Sequence, residues 1–157
     1  LAGWLDGFPG LFLLRAFTKS YGMAGLRLGY CLSGDGGLLS AMSRRVQPWN
    51  VSLPAQRAGV AALKEDAFLE SSRQLIRQER PFLAAELEKL GLWVCPSQAN
   101  YLLVKSRREL FGPLLERGVL IRDCSNYEGL GRGWYRLAVK GREENRMLLD
   151  ALGAILR

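Results

Sequence analysis

Between Asp66 and Leu90 the chain carries one long amphipathic stretch, and the sequence reads differently on its two sides. Phe68, Leu69, Leu75, Ile76, Phe82, Leu83, Leu87 and Leu90 recur at three- and four-residue spacing. That is the period at which side chains line one face of an α-helix. A helix of this length often links two lobes. Pro81 lies inside the pattern. It lacks a backbone N–H and its ring crowds the preceding turn, so it is expected to kink or divide the helix.

Upstream, Leu1 to Gly10 reads as the tail of a helix and its turn, cut out of a longer protein. Leu11 to Arg15 and Leu28 to Leu32 are strand candidates, and Leu38 to Arg45 has helical spacing. Ser52 is a plausible N-cap for a helix running on through Ala55 to Leu63, with Pro54 near its first turn. Downstream the texture changes. Leu92 to Cys95, Tyr101 to Val104, Val119 to Arg122 and Trp134 to Val139 are short strand candidates. Arg107 to Arg117, ended by Gly118, and Gly141 to Leu156 are the helices between and after them. The expected fold class is therefore α/β followed by α+β. The boundaries that go with it are a first lobe over 1–65, a connecting helix over 66–90 and a small α+β lobe over 91–157.

Histidine is absent, which removes His-based acid–base catalysis and the serine and cysteine triads. Cys31, Cys95 and Cys124 are odd in number and widely spaced, which argues against both a disulfide framework and a zinc site. Whatever chemistry exists must use lysine, tyrosine, carboxylates or a cofactor. The net charge of +7 permits a nucleic-acid reading. Yet the arginines are scattered through amphipathic stretches and no aromatic–basic pattern interleaves, so no nucleic-acid partner is expected. Anionic small substrates and a solvated surface account for the excess. No apolar run reaches the length of a membrane span, and no signal sequence opens the chain, so a cytoplasmic location is the default.

Against that background, one lysine stands out. Lys19 follows an apolar run and sits in a loop rich in small residues, with Gly22 and Gly25 free to take positive φ or to let a ligand approach. A lysine held among apolar neighbours can lose its proton and attack an aldehyde. Arg27, eight residues on, offers a planar fork suited to phosphate oxygens. On chemistry alone, a solvated surface loop fits these residues as well as a site does. Their order decides more. Arg-x-Phe-Thr-Lys-Ser-Tyr-Gly-Met-Ala-Gly-Leu-Arg-Leu-Gly-Tyr, from Arg15 to Tyr30, resembles the lysine segment of fold type I pyridoxal-phosphate (PLP) enzymes. The similarity is greatest to the branch holding histidinol-phosphate aminotransferases and threonine-phosphate decarboxylases. The resemblance implies that Lys19 bonds covalently to PLP and that Arg27 binds the cofactor phosphate. The family commonly places a phosphate-contacting hydroxyl three residues before the lysine. This chain has Ala16 there, and Thr18 is the hydroxyl that could compensate.

A second stretch runs Ile121-Arg122-Asp123-Cys124-Ser125-Asn126-Tyr127 and, after a glycine-rich loop, Trp134-Tyr135-Arg136-Leu137-Ala138-Val139-Lys140. An arginine inside a strand is costly to bury unpaired, so Arg136 is expected to face a cleft or a carboxylate. A solvated strand face or a structural ion pair is the plainer alternative. Tyr-Arg-Leu-Ala-Val-x-x-Arg-Glu-Glu-Asn resembles the carboxyl-terminal lobe of the same branch. That implies Arg136 anchors the substrate α-carboxylate and Arg122 contacts the substrate phosphate. Ser97 to Tyr101 matches the family's Ser-x-Ala-Asn-aromatic segment, which gives Asn100 a place lining the substrate site.

The resemblance implies the C-terminal part of a PLP-dependent transferase fold, the end of its large domain plus the small domain. It covers the second half of the family's length. The upstream phosphate cradle, the aromatic that stacks on the cofactor and the aspartate facing its nitrogen have no counterpart here. The implied function is threonine-phosphate decarboxylase of cobalamin biosynthesis, tilted by the Ile121–Gly131 wording. A histidinol-phosphate-type aminotransferase and a non-catalytic association domain are the alternatives, and a phosphorylated amino acid and a homodimer are the implied partners. Alone, the chain is expected to be inactive.

Overall fold

The computed structural model describes residues 2–156. They fall into two compact units on either side of the Glu70–Ser71 bond. In the first unit, β1 (Phe12–Ala16) and β2 (Gly29–Ser33) pair antiparallel, with Ala16 opposite Gly29 and Phe12 opposite Ser33. Neighbouring strands paired in this way make a hairpin, so residues 17–28 are its loop. The Phe17 N–H closes the loop's base by donating to the Leu28 carbonyl at 3.1 Å. Helix α1 (Phe17–Ser20) is a single turn inside that loop.

Helix α2 (Gly36–Ser43) starts two residues earlier than its apolar spacing predicts, because the Asp35 carboxylate accepts the Leu38 N–H at 2.9 Å and caps it. Helix α3 (Leu53–Ala62) opens on Ser52, whose hydroxyl accepts the Ala55 N–H at 3.4 Å, with Pro54 in the first turn as the sequence predicts. Against the hairpin α3 presents Gly59. A Cβ there would stand 2.5 Å from Leu28 Cδ2 and 3.7 Å from Phe17 Cζ, so a side chain at 59 would require the Leu28 side chain to move. Apart from Phe17 and Ala55 this unit buries little. Leu14 is 76% exposed and Trp49 97%.

Helix α4 (Asp66–Lys89) begins where predicted and runs unbroken past Pro81. The expectation that Pro81 divides it is therefore corrected. Pro81 lies on the exposed side of the helix, away from the core-facing Leu83 and Leu87. The second unit is built around a four-stranded antiparallel sheet in the order β3 (Trp93–Val94), β4 (Tyr101–Lys105), β6 (Trp134–Ala138), β5 (Arg122–Asp123). Alternation along β4 and β6 sends Leu102, Val104, Tyr135 and Leu137 inward. There they meet Leu83 and Leu87 of α4, Leu114 of α5 (Phe111–Glu116), and Leu148 and Leu152 of α6 (Arg142–Leu156). The opposite face of the sheet exposes Tyr101, Lys105, Arg136 and Ala138.

Two elements differ from the sequence expectation. Helix α5 is shorter than 107–117 because two of its N–H groups go elsewhere. The Ser106 hydroxyl accepts the Arg108 N–H at 3.0 Å, and the Tyr135 hydroxyl accepts the Leu110 N–H at 3.2 Å. Strand β5 starts at Arg122 and not Val119, because the Val119 N–H is bound by the Leu114 carbonyl at 2.9 Å. Among the described residues, no helix is long and apolar enough to cross a membrane.

Candidate active site

Phe17 fixes the lysine loop from below. It is 4% exposed, stacks on Tyr21 at 5.2 Å between ring centres, and tilts against Tyr30 at 5.8 Å. Burying that ring turns the next residues of α1 outward, which leaves Lys19 exposed and Thr18 half-buried. The sequence reading placed Lys19 in a loop at a strand end. The structure places it in a helical turn directly after β1. Among the described residues of its unit the Lys19 amine has no hydrogen-bond or ion-pair partner. The chain reverses at Gly22, φ 66°, whose N–H reaches the Lys19 carbonyl at 3.1 Å. Gly25 does not take positive φ. That conformation falls instead to Arg27, φ 52° and ψ 40°, an uncommon place for a side chain of its size. Such strain persists where surrounding structure over-determines it, as at ligand sites. The Met23 N–H, donating to the Phe17 carbonyl at 3.2 Å, supplies part of that constraint.

Lys19, Thr18 and Arg27 thus share one loop whose ends are bonded together. The Arg27 guanidinium is exposed, donates to the Ala24 carbonyl at 3.2 Å, and meets no carboxylate in its unit. A free amine, a hydroxyl and an uncommitted guanidinium suit an anionic aldehyde, the amine for the carbonyl and the fork for a phosphate. Ala16 contributes no donor. PLP fits this donor set.

On the second unit's sheet, Arg122 of β5 stands directly opposite Arg136 of β6. Like charges placed so repel each other. Among the described residues of this unit neither arginine pairs with a carboxylate, so of the plainer alternatives for Arg136 it is the solvated strand face and not the structural ion pair that is seen. Each lies instead against a tyrosine, Arg136 at 5.2 Å from the Tyr101 ring centre and Arg122 at 5.5 Å from that of Tyr127. Arg122 Nη2 also donates to Asn126 Oδ1 at 3.0 Å. Asn100 stands just before β4, exposed, and its carbonyl accepts the Val139 N–H at 2.9 Å, one residue past the end of β6. This ties it to the strand that carries Arg136.

Tyr101 and Tyr127 escaped the sequence reading as contributors. Each is the aromatic residue that closes one of the two motifs, a signal visible in SQANY and CSNY. The six candidate residues fall into two groups, Thr18, Lys19 and Arg27 on the hairpin and Asn100, Arg122 and Arg136 on the sheet.

Comparison with known proteins places both groups in context. The family described as aminotransferase class I and II matches residues 2–152. A threonine-phosphate decarboxylase from Salmonella typhimurium is 38% identical over 94% of this chain and 42% of its own length. A histidinol-phosphate aminotransferase from an Anaeromyxobacter species is 42% identical over 98% of this chain and 44% of its own. The chain therefore spans less than half the length of the curated relatives it matches. Among solved structures, the histidinol-phosphate aminotransferase of Sinorhizobium meliloti in complex with pyridoxal-5'-phosphate superposes with a TM-score of 0.85 at 25% identity. That match covers 99% of this chain and 44% of the other.

Proposed function

The chain belongs to the class I and II aminotransferase family, and on that footing we propose that it supplies the lysine and the substrate-binding arginines of a PLP-dependent enzyme acting on a phosphorylated amino acid. The observation that carries the reading is the Arg122–Arg136 pair, two adjacent cations without carboxylate partners among the described residues of their unit, matched to a substrate with two anionic ends. In this reading residues 1–65 close the PLP-binding large domain, 66–90 connect, and 91–157 form the small domain.

PLP, when bound, supplies an electron sink for charge that develops at the substrate α-carbon. The chain's own residues do the rest. The Lys19 amine would hold the cofactor and, when free, would move a proton at the substrate α-carbon. Arg27, with the Thr18 hydroxyl, takes the cofactor phosphate. Arg136 grips the substrate carboxylate, Arg122 its phosphate, and Asn100 lines the space between them. By holding the carboxylate, Arg136 would orient the bonds at the substrate α-carbon and so favour the breaking of one of them.

The finer reading is decarboxylation of threonine phosphate, a step of cobalamin biosynthesis, supported by the wording of the Ile121–Gly131 loop. A second reading, transamination of a histidinol-phosphate-type substrate, is favoured by the 42% identity to such an enzyme. A protein carrying this chain, given PLP and O-phosphothreonine, is expected to release carbon dioxide without an added 2-oxo acid. Turnover that requires a 2-oxo acid acceptor and releases no carbon dioxide would select the second reading. No turnover of either substrate would leave the chain as a non-catalytic association domain.

A homodimer in the cytoplasm goes with this function. Leu14, Trp49, Leu53 at 60% exposure and Val60 at 61% are more apolar surface than a small unit usually leaves open. Light scattering across a concentration series is expected to show dimers, and a strict monomer throughout rejects the assignment.

A further inference from the structure

Glu79 of α4 is 5% exposed, the one buried acidic side chain among the described residues, and the chemistry above leaves it unused. Arg142 Nε donates to its two oxygens at 3.0 and 3.1 Å, and Arg142 Nη2 lies 2.9 Å from Oε1. Asn145 Nδ2 donates to Oε2 at 3.0 Å. The bonds from Arg142 hold the carboxyl below the usual carboxylate range against the opposing pull of burial, and the bond from Asn145 adds to them. Arg142 is itself steadied over the Phe82 ring, 3.6 Å from guanidinium carbon to ring centre.

Asn145, 1% exposed, passes this order on. Its Nδ2 also donates to the Lys140 carbonyl at 2.9 Å, and its Oδ1 accepts the Lys140 N–H at 3.0 Å. The side-chain amide therefore takes both polar groups of one residue, as a neighbouring strand would. It clamps the turn from β6 into α6 two residues past the strand's end. Val139, inside that turn, bonds to the Asn100 carbonyl. We infer that Glu79, acting through Asn145, is a positioning residue that sets Arg136 and Asn100 for the substrate carboxylate. The inference rests on the function proposed above.

A glutamine at position 79 would keep the shape but replace one acceptor oxygen with an NH₂ donor. That donor meets the N–H of Asn145 or of Arg142. Facing Asn145 it turns that amide away from Lys140, and facing Arg142 it expels the guanidinium beside it, so the support beneath the Lys140 clamp weakens either way. The unit itself should still fold, because α6 keeps Leu148 and Leu152 in the core.

The experiment compares Glu79→Gln with Arg136→Lys in a protein carrying this chain. For Glu79→Gln the amides of Val139 and Lys140 are expected to exchange with deuterium at least about tenfold faster, while Leu102 and Val104 keep their protection. The KM for O-phosphothreonine is expected to rise about tenfold with a smaller change in kcat, the signature of lost ground-state binding. Arg136→Lys should raise KM without altering exchange. Equal loss of protection at Leu102 and Val104 would overturn the role, making Glu79 merely structural. So would an unchanged KM in Glu79→Gln beside a raised one in Arg136→Lys. An unchanged KM in Arg136→Lys overturns the function reading itself, and with it the assignment of Glu79 to substrate placement.

Discussion

Lys19→Ala is expected to abolish covalent cofactor attachment and to lower turnover by more than about a thousandfold, the scale on which removing a covalent nucleophile acts. Lys19 lies exposed on the one-turn helix of the hairpin loop, with no partner in its unit to neutralise or hide its amine. The loop's ends are fixed by the Phe17 to Leu28 bond, and Phe17 is clamped beneath it, so the amine is presented without being paired. Removing it should leave the fold intact, because Ala is at least as good a helix former and no contact within the unit is lost. Borohydride treatment in the presence of PLP, followed by peptide mapping, reads the outcome. Label on the peptide holding Lys19, and none after Lys19→Ala, is the expected result. Label spread evenly over Lys64, Lys89 and Lys105 would refute the assignment.

The second large effect separates Arg122 from Arg136. In the proposed function each guanidinium takes one end of an amino-acid phosphate, and truncating one partner of such a charge pair is expected to cost roughly 2–4 kcal/mol. That is a loss of about thirty- to a thousandfold in kcat/KM. Arg136→Ala is expected to weaken every α-amino acid substrate, phosphorylated or not. Arg122→Ala should erase the preference for O-phosphothreonine over threonine. Both arginines contact tyrosine rings and face solvent, so stability should change by no more than about 0.5 kcal/mol in either variant. Kinetics of both variants on the two substrates, with thermal unfolding alongside, decide the matter. An unchanged substrate preference in Arg122→Ala rejects its phosphate role. Equal losses of stability in both variants would make them structural residues.

The sequence by itself determined what depends on near neighbours. The three- and four-residue apolar spacing specified α4, Ser52 and Pro54 specified the start of α3, and short apolar runs specified the places of β4 and β6. The lysine and arginine segments were legible for the same reason, since residue type and spacing lie in one short run. Tertiary structure decided what needs a distant partner. β1 pairs with β2 only across the lysine loop, and that pairing converts an apparent strand-end loop into a closed hairpin carrying a helical turn. The end of α5 takes the Val119 N–H, so β5 begins three residues late. Tyr101 becomes a support for Arg136 only once β4 and β6 pair and put both side chains on one face of the sheet. Glu79 and Asn145, 66 residues apart, carry no local signal of their meeting. A charged residue on a helix reads as a solvated one until the fold brings donors that make its burial tolerable.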